Sequence, residues 1–384
     1  MIFGKECNMA KKRILIFSTA YLPLIGGAEV AVAELTDRLT DCEFFMITAR
    51  LQPELPRYEE MGNIKVYRLG QGNNLDKYRL ILNGWKKAQE LGKFDVVWSI
   101  MASYAGFAAL RYQKKNPGTK FLLTLQEGDS RWDIYKHVWW CWPIFTQIFK
   151  CADTIQTISS YLADWASALG AKCPIEVIPN GVAREKFFNK TGEILKIKFG
   201  LGIEESAKVV VTTSRLVKKN GVGDLINAMQ FLEKNIHLLI LGNGELEDEL
   251  KLLSKQNNLE NQVHFLGNIS QNELPQYLWA SDVFCRPSLS EGLGIAFLEA
   301  LAAGVPVVAT KVGGIPDFLQ DRETGLFCAV NNPQDIANKI KEILDDQELR
   351  NKLVTNGKKL VEKKYSWDII AEQIKNIFNK LCVS

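Results

Sequence analysis

The stretch Asp282-Val283-Phe284-Cys285-Arg286-Pro287-Ser288-Leu289-Ser290-Glu291-Gly292-Leu293-Gly294-Ile295-Ala296-Phe297-Leu298-Glu299-Ala300 reads as one βα unit. A short apolar run bounded by turn formers is the mark of a strand buried on both faces. Arg286-Pro287-Ser288 ends it, Gly292 and Gly294 turn the chain, and a helix opens near Gly294. Glycine turns let backbone N–H groups approach an anion, and the helix directs its positive end at the same place. The unit therefore predicts a strand of a parallel sheet with a phosphate-receptive loop beyond its carboxyl end.

Outward from this unit the same alternation fills the chain. Strands are expected at residues 13–18, 43–48, 64–69, 94–100, 120–125, 154–158 and 176–178, then at 208–213, 236–241, 262–266, 282–285, 305–309 and 325–328, with amphipathic segments between them. Pro179-Asn180-Gly181 separates the two series. The fold class is thus α/β, two Rossmann-like doubly wound domains facing across a cleft: 1–180, 181–366, and a helical tail at 367–384. In the tail Ile369, Ile370, Ile374, Ile377, Phe378 and Leu381 fall at helical spacing, so it must cover an apolar surface, in one domain or by crossing back to the other.

Bulk properties fit two ordinary domains: 384 residues, 47% hydrophobic, 24% charged. The net charge is +3, and residues 1–180 carry 22 Lys+Arg against 18 Asp+Glu. That is too little, and too unclustered, for a nucleic-acid partner, and leans weakly toward an anionic membrane surface or an acidic acceptor. The eight cysteines show no C-x-x-C pair and no histidine at ligand spacing, so no metal is expected and free thiols in a cytoplasmic setting are. The first apolar run, residues 14–17, is too short for a signal peptide, and residues 1–9 read as a leader the fold does not need.

Glu291 stands in the loop, where it can bond sugar hydroxyls, and Glu299 lies further along, within reach of a ribose diol. A carboxylate pair also suggests a glycosidase, but eight helical steps of ~1.5 Å set the two roughly 12 Å apart, beyond the ~5–9.5 Å such pairs need. The plain alternative is that Glu291 caps the helix and Glu299 is a solvated helix residue.

The pattern Glu291, seven residues, Glu299 with an internal glycine turn resembles the glycosyltransferase family 4 enzymes, retaining transferases of the GT-B fold. Further segments follow that family's order from about residue 13 to residue 381. Pro23-Leu24-Ile25-Gly26-Gly27-Ala28-Glu29 is similar to its N-terminal glycine loop, and Thr213-Ser214-Arg215-Leu216-Val217-Lys218-Lys219-Asn220-Gly221 to its diphosphate segment. Asn220 stands where the family has lysine, which leaves either Lys219 from one residue earlier or the Asn220 amide to meet the diphosphate. Gly242 and Gly244 resemble the turn bordering the nucleotide, and Leu266 and Gly267 the strand end that carries the base. Gln126 occupies the position of a histidine common in the family, and Glu127 and Asp129 beside it can orient an acceptor hydroxyl or take its proton.

The resemblance implies a retaining, metal-independent transferase without cofactor. A UDP-, GDP- or ADP-sugar donor would lie on the second domain, against Arg215, Lys219, Gly292, Leu293, Gly294 and Glu299. A glycan or lipid-linked acceptor would lie on the first, at the cytoplasmic side or the inner face of a membrane. A same-fold epimerase or phosphorylase, or a binding protein that has lost catalysis through Gln126 and Asn220, are the competing readings. A nicotinamide dehydrogenase is disfavoured, because the first βα turn lacks G-x-G-x-x-G.

One segment stands apart. Trp132, Trp139, Trp140 and Trp142, with Phe145 and Phe149, are interleaved with Arg131, Lys136 and Lys150. Such residues are most often core, so burial under a lid is expected, with peripheral membrane contact through the first domain as the alternative.

Overall fold

The computed structural model describes residues 11–24, 26–187 and 194–383. Ile25 of the glycine loop and residues 1–9 therefore lie outside the described residues. Eight strands form the first sheet: β1 (Lys12–Phe17), β2 (Cys42–Ala49), β3 (Tyr58–Met61), β4 (Ile64–Leu69), β5 (Val96–Ile100), β6 (Lys120–Leu125), β7 (Thr154–Thr157) and β8 (Ile175–Val177). Six form the second: β9 (Lys208–Thr213), β10 (Ile236–Leu241), β11 (Val263–Gly267), β12 (Val283–Arg286), β13 (Val307–Thr310) and β14 (Leu326–Cys328).

The sheet orders are β3-β4-β2-β1-β5-β6-β7-β8 and β11-β10-β9-β12-β13-β14. All pairings are parallel except β3 with β4. In each sheet the order reverses once, between β1 and β5 and between β9 and β12, and the crevice at such a reversal is where doubly wound sheets take their ligands. β3 is the one strand missing from the sequence reading. Its residues Tyr-Glu-Glu-Met alternate exposure at a sheet edge and lack the apolar run of a buried strand.

The tail helix Trp367–Val383 packs on the first domain although it follows the second. Its Phe378 ring lies 5.4 Å from Trp98 and 6.3 Å from Phe44, centroid to centroid. Ile370, Ile374, Ile377, Phe378 and Leu381 are all buried there. At ~1.5–3 kcal/mol per fully buried apolar side chain, they contribute on the order of 10 kcal/mol before conformational entropy is subtracted. The chain thus crosses between domains twice at one edge, where Val182 pairs with Ser366. Gly181 is required there, since a Cβ would stand 2.7 Å from the Trp367 ring.

Candidate functional site

The two crevices face each other and enclose a cavity of about 1430 Å³. From the second domain, the loop of Glu291, Gly292, Leu293 and Gly294 projects into it ahead of helix Ile295–Ala303. Gly294 adopts φ +88, and a Cβ there would meet Arg286 Nη2 at 2.8 Å. The loop is clamped from both sides. A Cβ on Gly292 would stand 2.6 Å from the Glu127 carbonyl oxygen of the first domain, and one on Gly313 would collide with the Glu291 carbonyl.

Arg286, which the sequence reading treated only as loop, organises this corner. It ends β12 beside β9, donates to the Thr213 carbonyl at 3.2 Å, and places its guanidinium 4.3 Å from the Phe297 ring centroid. It also forms an ion pair with Glu291, whose second oxygen accepts the Gly292 N–H at 3.1 Å. A cation directly after Val283-Phe284-Cys285 was the available signal, because a strand buried on both faces rarely ends in a charge without a carboxylate nearby. The hydroxyls of Thr212, Thr213, Ser214 and Ser288, and Arg286 Nε, are buried without partners around the same strand ends. Unmatched polar atoms gathered at a crevice are the mark of a polar ligand site.

Lys219 reaches across the cleft to Asp129 at 2.6 Å, while Arg215 is exposed at the cavity wall. Asn220 is buried, and its amide donates to the Arg215 carbonyl at 2.7 Å. It shapes the loop from the cavity wall. Gly242, Gly244, Leu266 and Gly267 do not reach the cavity wall. Gly242 and Gly244 instead let β10's end pack on the backbone of residues 214–216, where a Cβ would stand 2.0 Å from the Ser214 oxygen and 2.4 Å from the Leu216 oxygen respectively. Gly267 accepts from the Gly242 N–H at 2.7 Å.

On the first domain, Gly26 and Gly27 open helix Gly27–Arg38, and a Cβ on Gly27 would stand 3.5 Å from Ile295 Cδ1 across the cleft. Gln126 is tied to the linker, its Oε1 accepting from Asn180 Nδ2 at 2.9 Å. Met101 adopts φ +68 after β5, and the following Ala102 N–H donates to Glu127 Oε1 at 2.6 Å. Glu127 Oε2 is buried without a partner. The Ser290 hydroxyl donates to the Gly128 carbonyl at 3.2 Å, so the loops of both domains touch.

Two carboxyls are pushed up to about 7. Burial does this at Glu127, against the pull of the backbone N–H groups of Ala102, Glu127 and Gln126. It does the same at Glu299, against the opposing charges of Arg286 and Lys186. A carboxyl whose folded pKa lies above its unfolded value binds more protons when folded, so stability falls as pH rises through that window. The contribution of these two groups is therefore greatest below about pH 4.5 and lost by about pH 7, the reverse of a salt-bridged acid. Glu299→Gln and Glu127→Gln are each expected to flatten the decline of unfolding temperature between pH 5.5 and 7.5. A decline as steep as in wild type would rule out these groups as its source.

Among the described residues no cluster of three or more His, Cys, Asp or Glu could hold a metal ion, and no helix is long and apolar enough to cross a membrane. The seven described cysteines are free.

Residues 193–360 match the profile described as glycosyl transferases group 1, and residues 25–186 that described as glycosyltransferase family 4. An uncharacterized glycosyltransferase of Methanocaldococcus jannaschii is 35% identical, over 95% of this chain and 97% of its own. A GDP-mannose-dependent alpha-(1-6)-phosphatidylinositol monomannoside mannosyltransferase of Mycobacterium tuberculosis is 30% identical over 60% of this chain and 63% of its own. Among solved structures, sucrose-phosphate synthase of Thermosynechococcus elongatus superposes with a TM-score of 0.86 at 21% identity, covering 97% of this chain and 100% of that one. HepE of Anabaena, in complex with UDP-glucose, superposes with 0.82 at 20% identity, covering 96% and 99%. With its two facing doubly wound sheets and its Glu291-to-Glu299 motif at their cleft, this chain belongs to the group 1 glycosyltransferases of the family 4 type, on a GT-B fold.

Proposed function

We propose that the enzyme moves a glycosyl unit from a nucleoside diphosphate sugar to an acceptor hydroxyl with retention of anomeric configuration and without a metal. The observation that carries this is the convergence of Arg215, Lys219 and the N-terminus of helix Ile295–Ala303 on one cavity, with unmatched hydroxyls buried at the adjoining strand ends of the second domain. Two cations and a helix end suit a leaving diphosphate. Glu299, buried just off the cavity wall and within the field of Arg286, would receive the ribose diol.

The retained anomer is proposed to arise by a same-face route that needs no protein nucleophile. Glu291 is held by Arg286 and the Gly292 N–H and is therefore a positioning group for the sugar, not a free nucleophile. The sugar–phosphate C–O bond would break as the acceptor oxygen bonds the anomeric carbon on the same face, with the acceptor proton passing to the leaving phosphate oxygen. The touching loops at Ser290 and Gly128 would exclude water, which otherwise hydrolyses the donor. Two relatives support a nucleotide-sugar donor: the mycobacterial enzyme is GDP-mannose-dependent, and HepE is seen in complex with UDP-glucose.

A thermal-shift panel of UDP-glucose, GDP-mannose and ADP-glucose, followed by NMR of the product anomer, tests the reading. At least one donor is expected to stabilise the wild type and not Glu299→Ala, with an unchanged anomer in the product and no loss of rate in EDTA. Epimerised donor in the absence of acceptor, phosphate-dependent turnover, or an inverted product would each refute it.

A further inference from the structure

The cavity does not end at the transfer site. Beyond Glu127 and Asp129 it continues into the first domain, where Phe107, Leu110, Val138, Cys141 and Ile144 line an apolar arm and Arg111 and Lys114 supply cations. Trp140 also lines this arm and is 68% exposed, and Trp132 and Trp139 nearby are each 75% exposed. Only Phe145 and Phe149 of that aromatic segment are buried, so the expected burial under a lid does not hold for the indoles. The helices here are short, Arg131–Val138 and Trp142–Lys150 joined by a single turn, and too few faces point inward to bury every ring.

The charge around this corner is one-sided. Asp133, Asp76 and Glu90 are already paired with Lys136, Arg79 and Lys87. Arg111, Lys114, Lys115 and Lys86 form no ion pair among the described residues; Lys86, Arg111 and Lys115 gather round the Trp85 ring, and Lys114 donates to Gln147 Oε1. Exposed indoles beside unneutralised cations suit the headgroup layer of an anionic leaflet, and an apolar arm suits a hydrocarbon chain.

We propose that the acceptor is an anionic lipid-linked molecule taken directly from a membrane leaflet. Trp132, Trp139 and Trp140 enter the interface, Arg111 and Lys114 hold the acceptor's phosphate, and its chain lies in the arm, bringing the acceptor hydroxyl to Glu127 and Asp129. This rests on the donor-site reading above for the direction of transfer, while membrane contact stands on the first domain alone.

Co-sedimentation compares vesicles of phosphatidylcholine with vesicles of two parts phosphatidylcholine to one part phosphatidylglycerol. The wild type is expected to prefer the anionic vesicles by on the order of tenfold, and Trp132→Ser/Trp139→Ser/Trp140→Ser to lose binding by at least about tenfold without a change in unfolding temperature. Arg111→Gln/Lys114→Gln is expected to lose the anionic preference. In solution, dodecyl phosphate raises the wild-type unfolding temperature and inorganic phosphate does not. Wild type remaining in the supernatant, a triple variant that binds as wild type does, or inorganic phosphate matching dodecyl phosphate would overturn the proposal. Failure of the donor reading is distinguishable, because it shows as absent nucleotide-sugar stabilisation with vesicle binding intact.

Discussion

Arg286→Met is expected to unfold roughly 6–12 °C below the wild type and to lose stabilisation by any nucleotide sugar. Methionine can still lie against Phe297, but it leaves Glu291 half-buried without its cation and the Thr213 carbonyl without a donor. Removing one partner of a buried ion pair costs about 3–5 kcal/mol, because the remaining charge stays desolvated. A domain of this size shifts by roughly 2–4 °C per kcal/mol, which sets the range from the lower figure. Arg286→Met/Glu291→Gln leaves no unpaired charge and is expected to melt above the single variant. Differential scanning fluorimetry of the three proteins decides the matter: a single variant within about 2 °C of wild type means that the pair does not hold the loop.

Arg215→Ala should behave in the opposite way, with little change in stability and a fall in transfer rate of about 10²–10³. Its side chain is exposed at the cavity wall and forms no hydrogen bond or ion pair among the described residues, so folding does not depend on it. Its charge is nonetheless felt across the cleft, opposing the burial that raises the Glu29 carboxyl. A cation held ready without a carboxylate of its own is suited to charge that develops only as the diphosphate leaves, and such interactions lower kcat when removed. Initial rates at varied donor concentration test this. If kcat stays within about threefold of wild type, the diphosphate lies elsewhere.

The parallel strands were legible in the sequence because burial on both faces writes them as unbroken apolar runs, and the glycine-rich loop was legible because its turns admit few other residues. Two kinds of information were not. The edge strand Tyr58–Met61 depends on pairing with β4, a tertiary fact that its charged residues do not advertise. Arg286 acquires its role from Thr213, Glu291 and Phe297, two of which adjoin it only after folding or a turn of helix. Ambiguity was greatest where one residue type serves two purposes. Gly242 and Gly244 satisfy a nucleotide turn on paper, and their missing side chains also make room for the backbone of residues 214–216. Indole burial was likewise undetermined, since composition does not say how many faces a short helical corner can hide.

The tail helix has a bearing on how the protein is made. Trp98, Phe44 and their neighbours on the first sheet are covered by residues that leave the ribosome only after the whole second domain has been synthesised. At ~5–20 residues per second, the stretch between Asn180 and Trp367 takes on the order of 10–40 s. Throughout that interval the nascent first domain displays the apolar face that the tail will cover, which makes it a natural client for holding chaperones during translation.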